Sequence, residues 1–83
     1  MAKTMRSAYA PKTFDQKVAY LIEECGELQS ALGKSLRWGF SSCNPELPVD
    51  ERVTNRDWVL AEMVDVERGI RMLRMTLVQG GVR

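Results

Sequence analysis

The chain contains no histidine. That absence removes Ser–His and Cys–His catalytic pairs, zinc sites built on imidazole, and the Glu-x-x-His ligands of di-iron carboxylate bundles. Polar chemistry has to run on carboxylates, Lys, Arg, Tyr or thiols. Thiols are scarce as well. Cys25 and Cys43 are the only cysteines, too few for a disulfide framework. Cys25 falls inside an apolar helical pattern, so a reduced, buried thiol is expected there.

An excess of one charge is also missing. Twelve Lys and Arg oppose 11 Asp and Glu, for a formal net charge of +1. No strong electrostatic pull toward a nucleic acid polymer or a membrane surface follows. No stretch approaches the roughly 20 apolar residues that span a bilayer. Met1 to Ala10 carry Lys3 and Arg6 but lead into no long apolar run, which a signal peptide requires. The chain reads as soluble and cytoplasmic. Alternating strand patterns are absent too, which leaves an all-α protein.

What is present is helical periodicity. Thr13 precedes Phe14, Asp15 and Gln16, the arrangement of a capping box with an acid in the first turn. Phe14, Val18, Leu21, Cys25, Leu28, Leu32 and Ser35 or Leu36 then step by four and three, an apolar seam of nearly 3.5-residue period. Gly26 and Gly33 lie within this stretch, each costing about 1 kcal/mol relative to Ala, and are read as points of close approach by a helix or ligand. Helix is predicted over 13–38, after a tail of residues 1–12, and stops near Trp38 and Gly39. Residues 39–55 hold Asn44, Pro45 and Pro48 and read as a loop, long enough to be functional or mobile. A second helix is predicted over 56–79, capped by Thr54 or Asn55. Its seam runs through Val59, Met63, Val66, Ile70, Leu73 and Leu77, and Gly80-Gly81 ends it.

Two helices and a loop, 83 residues in all, make one domain with a marginal core. Two such hairpins packing together as a four-helix bundle would bury both seams. The five methionines suit an adaptable interface. A symmetric homodimer or homotetramer is therefore expected.

The polar pattern is more specific. Glu23, Glu24 and Glu27 fall in the first helix, Glu62 and Asp65 in the second. Residues three apart share a helix face, so Glu24 pairs with Glu27 and Glu62 with Asp65, and both pairs border the apolar seams. In an antiparallel hairpin the pairs can face each other, where four carboxylates would repel unless protons or a cation intervene. An all-oxygen donor set suits Mg²⁺, with Mn²⁺ as substitute, better than Zn²⁺. The plainer alternative is a solvated charged face, for which Glu is a good helix former.

Glu-Glu-x-x-Glu followed downstream by Glu-x-x-Asp resembles the signature of the MazG-like, all-α nucleoside triphosphate pyrophosphatases. The flanking text, Glu24-Cys25-Gly26-Glu27-Leu28 and Glu62-Met63-Val64-Asp65-Val66, is similar at the apolar positions too. The resemblance spans residues 14–78. It implies cleavage of (deoxy)nucleoside triphosphates between the α- and β-phosphates, with Glu24, Glu27, Glu62 and Asp65 as Mg²⁺ ligands. Glu23 would be an outer ligand or the base that orients the attacking water. Many family members carry further helices around this motif pair, whereas little lies outside it here. The short chain fits a stripped-down version such as phages or mobile elements carry.

Around the acids, Lys34 and Trp38 lie nearly in line with Glu27. Lys34 is a candidate phosphate contact and Trp38 a candidate stacking surface for a base. Otherwise they are a surface lysine and an end-of-helix tryptophan packed on the loop. Arg68, Arg71 and Arg74 follow the second acidic motif, and Arg71 is taken as the phosphate-binding candidate. The helix dipole favours basic residues at this end in any case. Trp58 reads as core. The competing function is a non-enzymatic helical oligomerisation module in which the acids are incidental.

Overall fold

Thr13 and Gln16 open the first helix by satisfying each other's backbone donors. In a computed structural model that describes residues 10–80, the Gln16 N–H donates to Thr13 Oγ1 at 3.1 Å and the Thr13 N–H donates to Gln16 Oε1 at 3.2 Å. Helix α1 runs Phe14–Trp38. It stops at Gly39, whose φ of 96° favours glycine and whose N–H donates to Ser35 O at 2.8 Å. Most of the tail expected over residues 1–12, and Gly81 of the terminal Gly80-Gly81 pair, lie outside the described residues.

The connection that follows is held in place by hydrogen bonds. Asn44 is buried, and its side chain accepts from the Glu46 N–H at 3.0 Å, an Asx turn. A single 3-10 turn spans Val49–Glu51. Arg52 donates to Leu47 O and Pro45 O, at 2.9 and 3.0 Å. The loop then returns to its own start: Asn55 N–H donates to Ser42 O at 2.7 Å, Arg56 N–H to Phe40 O at 2.9 Å, and Asn55 Nδ2 to Gly39 O at 2.9 Å. Length alone suggested a functional or mobile segment. These bonds tie the end of one helix to the beginning of the next.

Helix α2 runs Asn55–Val78, capped by Thr54, whose Oγ1 accepts from the Asp57 N–H at 3.1 Å. Asn55 is its first residue and is fully buried. The two helices pack against each other as an antiparallel pair, and no strand forms among the described residues, only an isolated bridge between Cys43 and Thr54. At the open end Lys17 Nζ donates to Thr76 Oγ1 at 2.9 Å. No described helix is long and apolar enough to cross a membrane.

The interface between the helices is not the apolar seam. Among the described residues the buried apolar side chains include Tyr20, Ala31, Val59 and Pro11, against Glu24, Ser35, Asn44, Asn55, Glu62 and Asp65 among polar ones. The period of the seam is helical, but its phase is displaced. Tyr20, Glu24, Ala31, Glu62, Asp65 and Gly69 are buried, each one position before an expected seam residue, while Ser35 and Val59 are buried at seam positions themselves. One residue is about 100° of rotation, so the apolar stripes lie beside the interface rather than in it. Leu36 is 86% exposed and Leu77 52%. Both stripes turn to the same broad side of the pair, where Leu21 lines open grooves with Ile70, Leu73 and Leu77. Cys25, expected to be buried, is half-buried at the edge of this face, and both cysteines are free thiols.

Glycine roles differ from expectation for the same reason. Nothing lies within 4 Å of a side-chain carbon built on Gly26 or Gly33. The close approach is at Gly69, where such a carbon would meet Leu21 Cδ1 and Tyr20 Cδ2 at 3.2 Å. With extents of 44 × 22 × 14 Å, the pair is little thicker than one helix of about 10–12 Å diameter.

Candidate metal centre

Buried acids need a reason, because removing a carboxylate from water costs several kcal/mol unless charge or hydrogen bonds compensate. Here Glu24 on α1 and Glu62 on α2 are 1% and 0% exposed, and Asp65 is 9% exposed. One oxygen from each of the three lies within 4.8 Å of the others. The three-residue spacing of Glu62 and Asp65 puts both on the α2 face that meets α1, and Glu24 approaches from the opposite helix. A second group, Glu23, Glu24 and Glu27, meets the same 4.8 Å condition along α1. Glu24 belongs to both groups, so five carboxylates form one continuous run. Its inner end is buried; at its outer end Glu27 is half-buried and Glu23 exposed.

The chemistry of this donor set fits a hard divalent cation. Every donor is a carboxylate oxygen, no imidazole is available, and Cys25 beside Glu24 lines the apolar groove. Mg²⁺–oxygen distances of about 2.1 Å leave opposite ligands about 4.2 Å apart, so oxygens within 4.8 Å need only small side-chain rotations to close on an ion. Oε2 of Glu24 and Oε1 of Glu62 are buried and accept no hydrogen bond among the described residues. Both side chains take part in other interactions.

The surroundings are aromatic and basic. Trp58, one turn before Glu62, donates its indole N–H to Glu62 Oε2 at 3.2 Å. Lys34 Nζ lies 5.2 Å from the centre of the Trp58 ring. Toward the open end Arg68 donates to the Tyr20 hydroxyl at 3.1 Å, its guanidinium 5.4 Å from the ring centre. Tyr20 is one turn before Glu24 and Arg68 three residues after Asp65, so this pair borders the cluster on both helices.

The structure brings Glu24, Glu62 and Asp65 together directly and joins Glu27 and Glu23 to them through Glu24. Lys34 is half-buried, on the Trp58 ring rather than in open solvent. Trp38 ends α1 with the Arg37 guanidinium 5.5 Å from its ring centre. Arg71 is exposed, and of the three arginines it is Arg68 that faces α1. Trp58 is half-buried, and its bond to Glu62 was not foreseen. The signal available for it was its position four residues before Glu62, hence on the same helix face. Comparison with protein-family models, with curated proteins and with solved structures gives no match.

Proposed function

We propose that the chain hydrolyses (deoxy)nucleoside triphosphates between the α- and β-phosphates in a Mg²⁺-dependent reaction, in the manner of the MazG-like pyrophosphatases its motifs resemble. The observation that carries this reading is the convergence of Glu24, Glu62 and Asp65 from two helices, within 4.8 Å and almost wholly buried. Those three residues would hold the cation, with Glu27 completing the set on the outer side. The bound ion neutralises phosphate charge and makes a coordinated water more acidic.

The chain's own groups then divide the remaining work. Glu23, exposed at the end of the run, orients the attacking water and accepts its proton. The water oxygen bonds to the α-phosphorus, the bond to the α–β bridging oxygen breaks, and pyrophosphate leaves with that electron pair. Lys34 contacts the phosphate chain, Trp38 offers a ring to the base, and Arg71 supplies positive charge from α2. The working form is a homodimer or homotetramer in which the apolar faces close into a four-helix bundle, acting in the cytoplasm on free nucleotides and not on a nucleic acid polymer.

Pyrophosphate release from a panel of NTPs and dNTPs, with Mg²⁺, with Mn²⁺ and with EDTA, tests this. Metal-dependent release that vanishes in Glu24→Gln is the expected result. A folded, oligomeric protein that releases pyrophosphate from no nucleotide would sink it. The second reading, a non-enzymatic oligomerisation module, draws on the exposed apolar face. It leaves the burial of Glu24 and Glu62 without a purpose, since apolar residues of similar volume there would cost nothing in desolvation.

A further inference from the structure

Trp58 is left unused by the metal-binding reading, yet it touches one of the carboxylates. It lies four residues before Glu62 on the inner face of α2, and its indole N–H donates to Glu62 Oε2 at 3.2 Å. Glu62 is fully buried and Trp58 half-buried, so this bond is partly shielded from water, which strengthens it electrostatically. An indole nitrogen can only donate. The bond therefore favours an acceptor oxygen at Glu62 and restricts how the carboxylate turns. On the ring of the same indole, Lys34 Nζ sits 5.2 Å from the centre. A cation over the π face draws electron density from the ring and polarises its N–H, which strengthens donation to a carboxylate. Lys34 from α1, Trp58 and Glu62 from α2 thus form one chain of contacts ending at the acidic cluster.

We propose that Trp58 is a positioning residue for Glu62, its indole N–H holding that carboxylate in the orientation in which it meets Glu24 and Asp65, with Lys34 reinforcing the bond from the ring face. The inference rests on the reading of Glu24, Glu62 and Asp65 as cation ligands. It adds a residue that touches neither ion nor substrate and acts by limiting the rotamers of a ligand. Outer partners of this kind set metal affinity as well as geometry. The same contact makes Trp58 an optical reporter, because an ion drawing charge from Glu62 changes the hydrogen bond at the indole.

The test measures metal binding rather than turnover. Mn²⁺ affinity is read from the free-ion electron paramagnetic resonance signal for the unmodified chain, Trp58→Phe, Glu62→Gln, and a chain with benzothienylalanine at position 58. That analogue keeps the bicyclic shape and lacks the N–H, so it separates the hydrogen bond from packing if the Phe variant folds poorly. Both position-58 changes are expected to weaken Mn²⁺ binding roughly 10–100-fold with unchanged helical circular dichroism. In a Trp38→Phe background, which leaves Trp58 as the single tryptophan, emission is expected to shift on Mg²⁺ titration and to saturate with the ion. If the benzothienylalanine chain binds Mn²⁺ as tightly as the unmodified one while Glu62→Gln binds at least tenfold more weakly, the positioning role is overturned and the metal site stands. If the unmodified chain binds no Mn²⁺ at millimolar concentration, the metal reading falls and this inference falls with it.

Discussion

The two sides of the helix pair obey opposite rules. Where α1 meets α2, buried Glu24, Glu62, Ser35 and Asn55 occupy positions that apolar residues usually fill. On the broad outer side Leu21, Ile70, Leu73 and Leu77 line open grooves, and Leu36 and Val78 are 86% and 80% exposed. Burying a leucine contributes about 1.5–3 kcal/mol, so the outer face holds stabilisation that one copy alone does not realise. The inner face spends stability on charge. Under the proposed function, the inner face would carry the chemistry and the outer face the cohesion between chains.

The most severe way to break this contrast is to neutralise the inner face. Glu24→Gln and Asp65→Asn are each expected to lower pyrophosphate release by at least about a hundredfold, since even outer partners of a metal cost 10–100-fold. The same substitutions remove carboxylate repulsion, so without metal the thermal midpoint should hold or rise. For a domain of this size each 1 kcal/mol is about 4–8 °C. Activity lost together with a large fall in the midpoint would mean that the acids are structural. Mg²⁺ itself should stabilise the unmodified chain by about 2.7 kcal/mol at a hundred times its Kd, an increment that calorimetry should see EDTA abolish and Glu62→Gln diminish.

Next in size is the outer face. Ile70→Asp or Leu77→Asp places a charge among the apolar groove residues without touching the acidic cluster. Sedimentation should show the oligomer dissociate, with helicity falling as the thin pair loses cover. If the chain works as a monomer, these are ordinary surface changes within about 0.5 kcal/mol, and the comparison of faces loses its meaning.

Much of the local structure was legible because short-range chemistry decides it. The Thr13–Gln16 reciprocal cap, the stop at Gly39, the Thr54 cap and the shared face of Glu62 and Asp65 all follow from spacing within one or two turns. The phase of the packing was not legible. A 3.5-residue apolar repeat says that a stripe will be covered but not by which helix, and both the partner helix and a second copy satisfy it equally. The stripe, expected to be buried in a bundle of two hairpins, placed Cys25 inside and gave no sign of Tyr20, Ala31 and Gly69 as the positions that pack α1 on α2. The acidic cluster survived the change of phase because Glu24, Glu62 and Asp65 stood at the seam's edge, and a rotation of one residue moved them to the centre. The contact of Trp58 with Glu62 and the preference of Arg68 over Arg71 for the α1-facing side depend on that same rotation.

The smallest effects concern glycine, and here the sign carries the information. Gly69→Ala adds a carbon 3.2 Å from Leu21 Cδ1 and Tyr20 Cδ2, inside an interface with little room. Overpacking of about 1–3 kcal/mol should outweigh the helix-propensity gain of up to about 1 kcal/mol, giving net destabilisation by denaturant titration. Gly26→Ala and Gly33→Ala meet nothing within 4 Å in a single copy, so each should stabilise an isolated hairpin by about 0.5–1 kcal/mol. Gly26 also lines the apolar groove with Leu21 and Cys25. If a second chain packs closely there, Gly26→Ala loses its gain at concentrations where the oligomer forms and keeps it on dilution, while Gly33→Ala serves as the reference position. A concentration-independent gain at both sites would mean that the groove beside Gly26 is not closely covered, and the assembly would have to close through the Met63 and Leu36 side of the face instead.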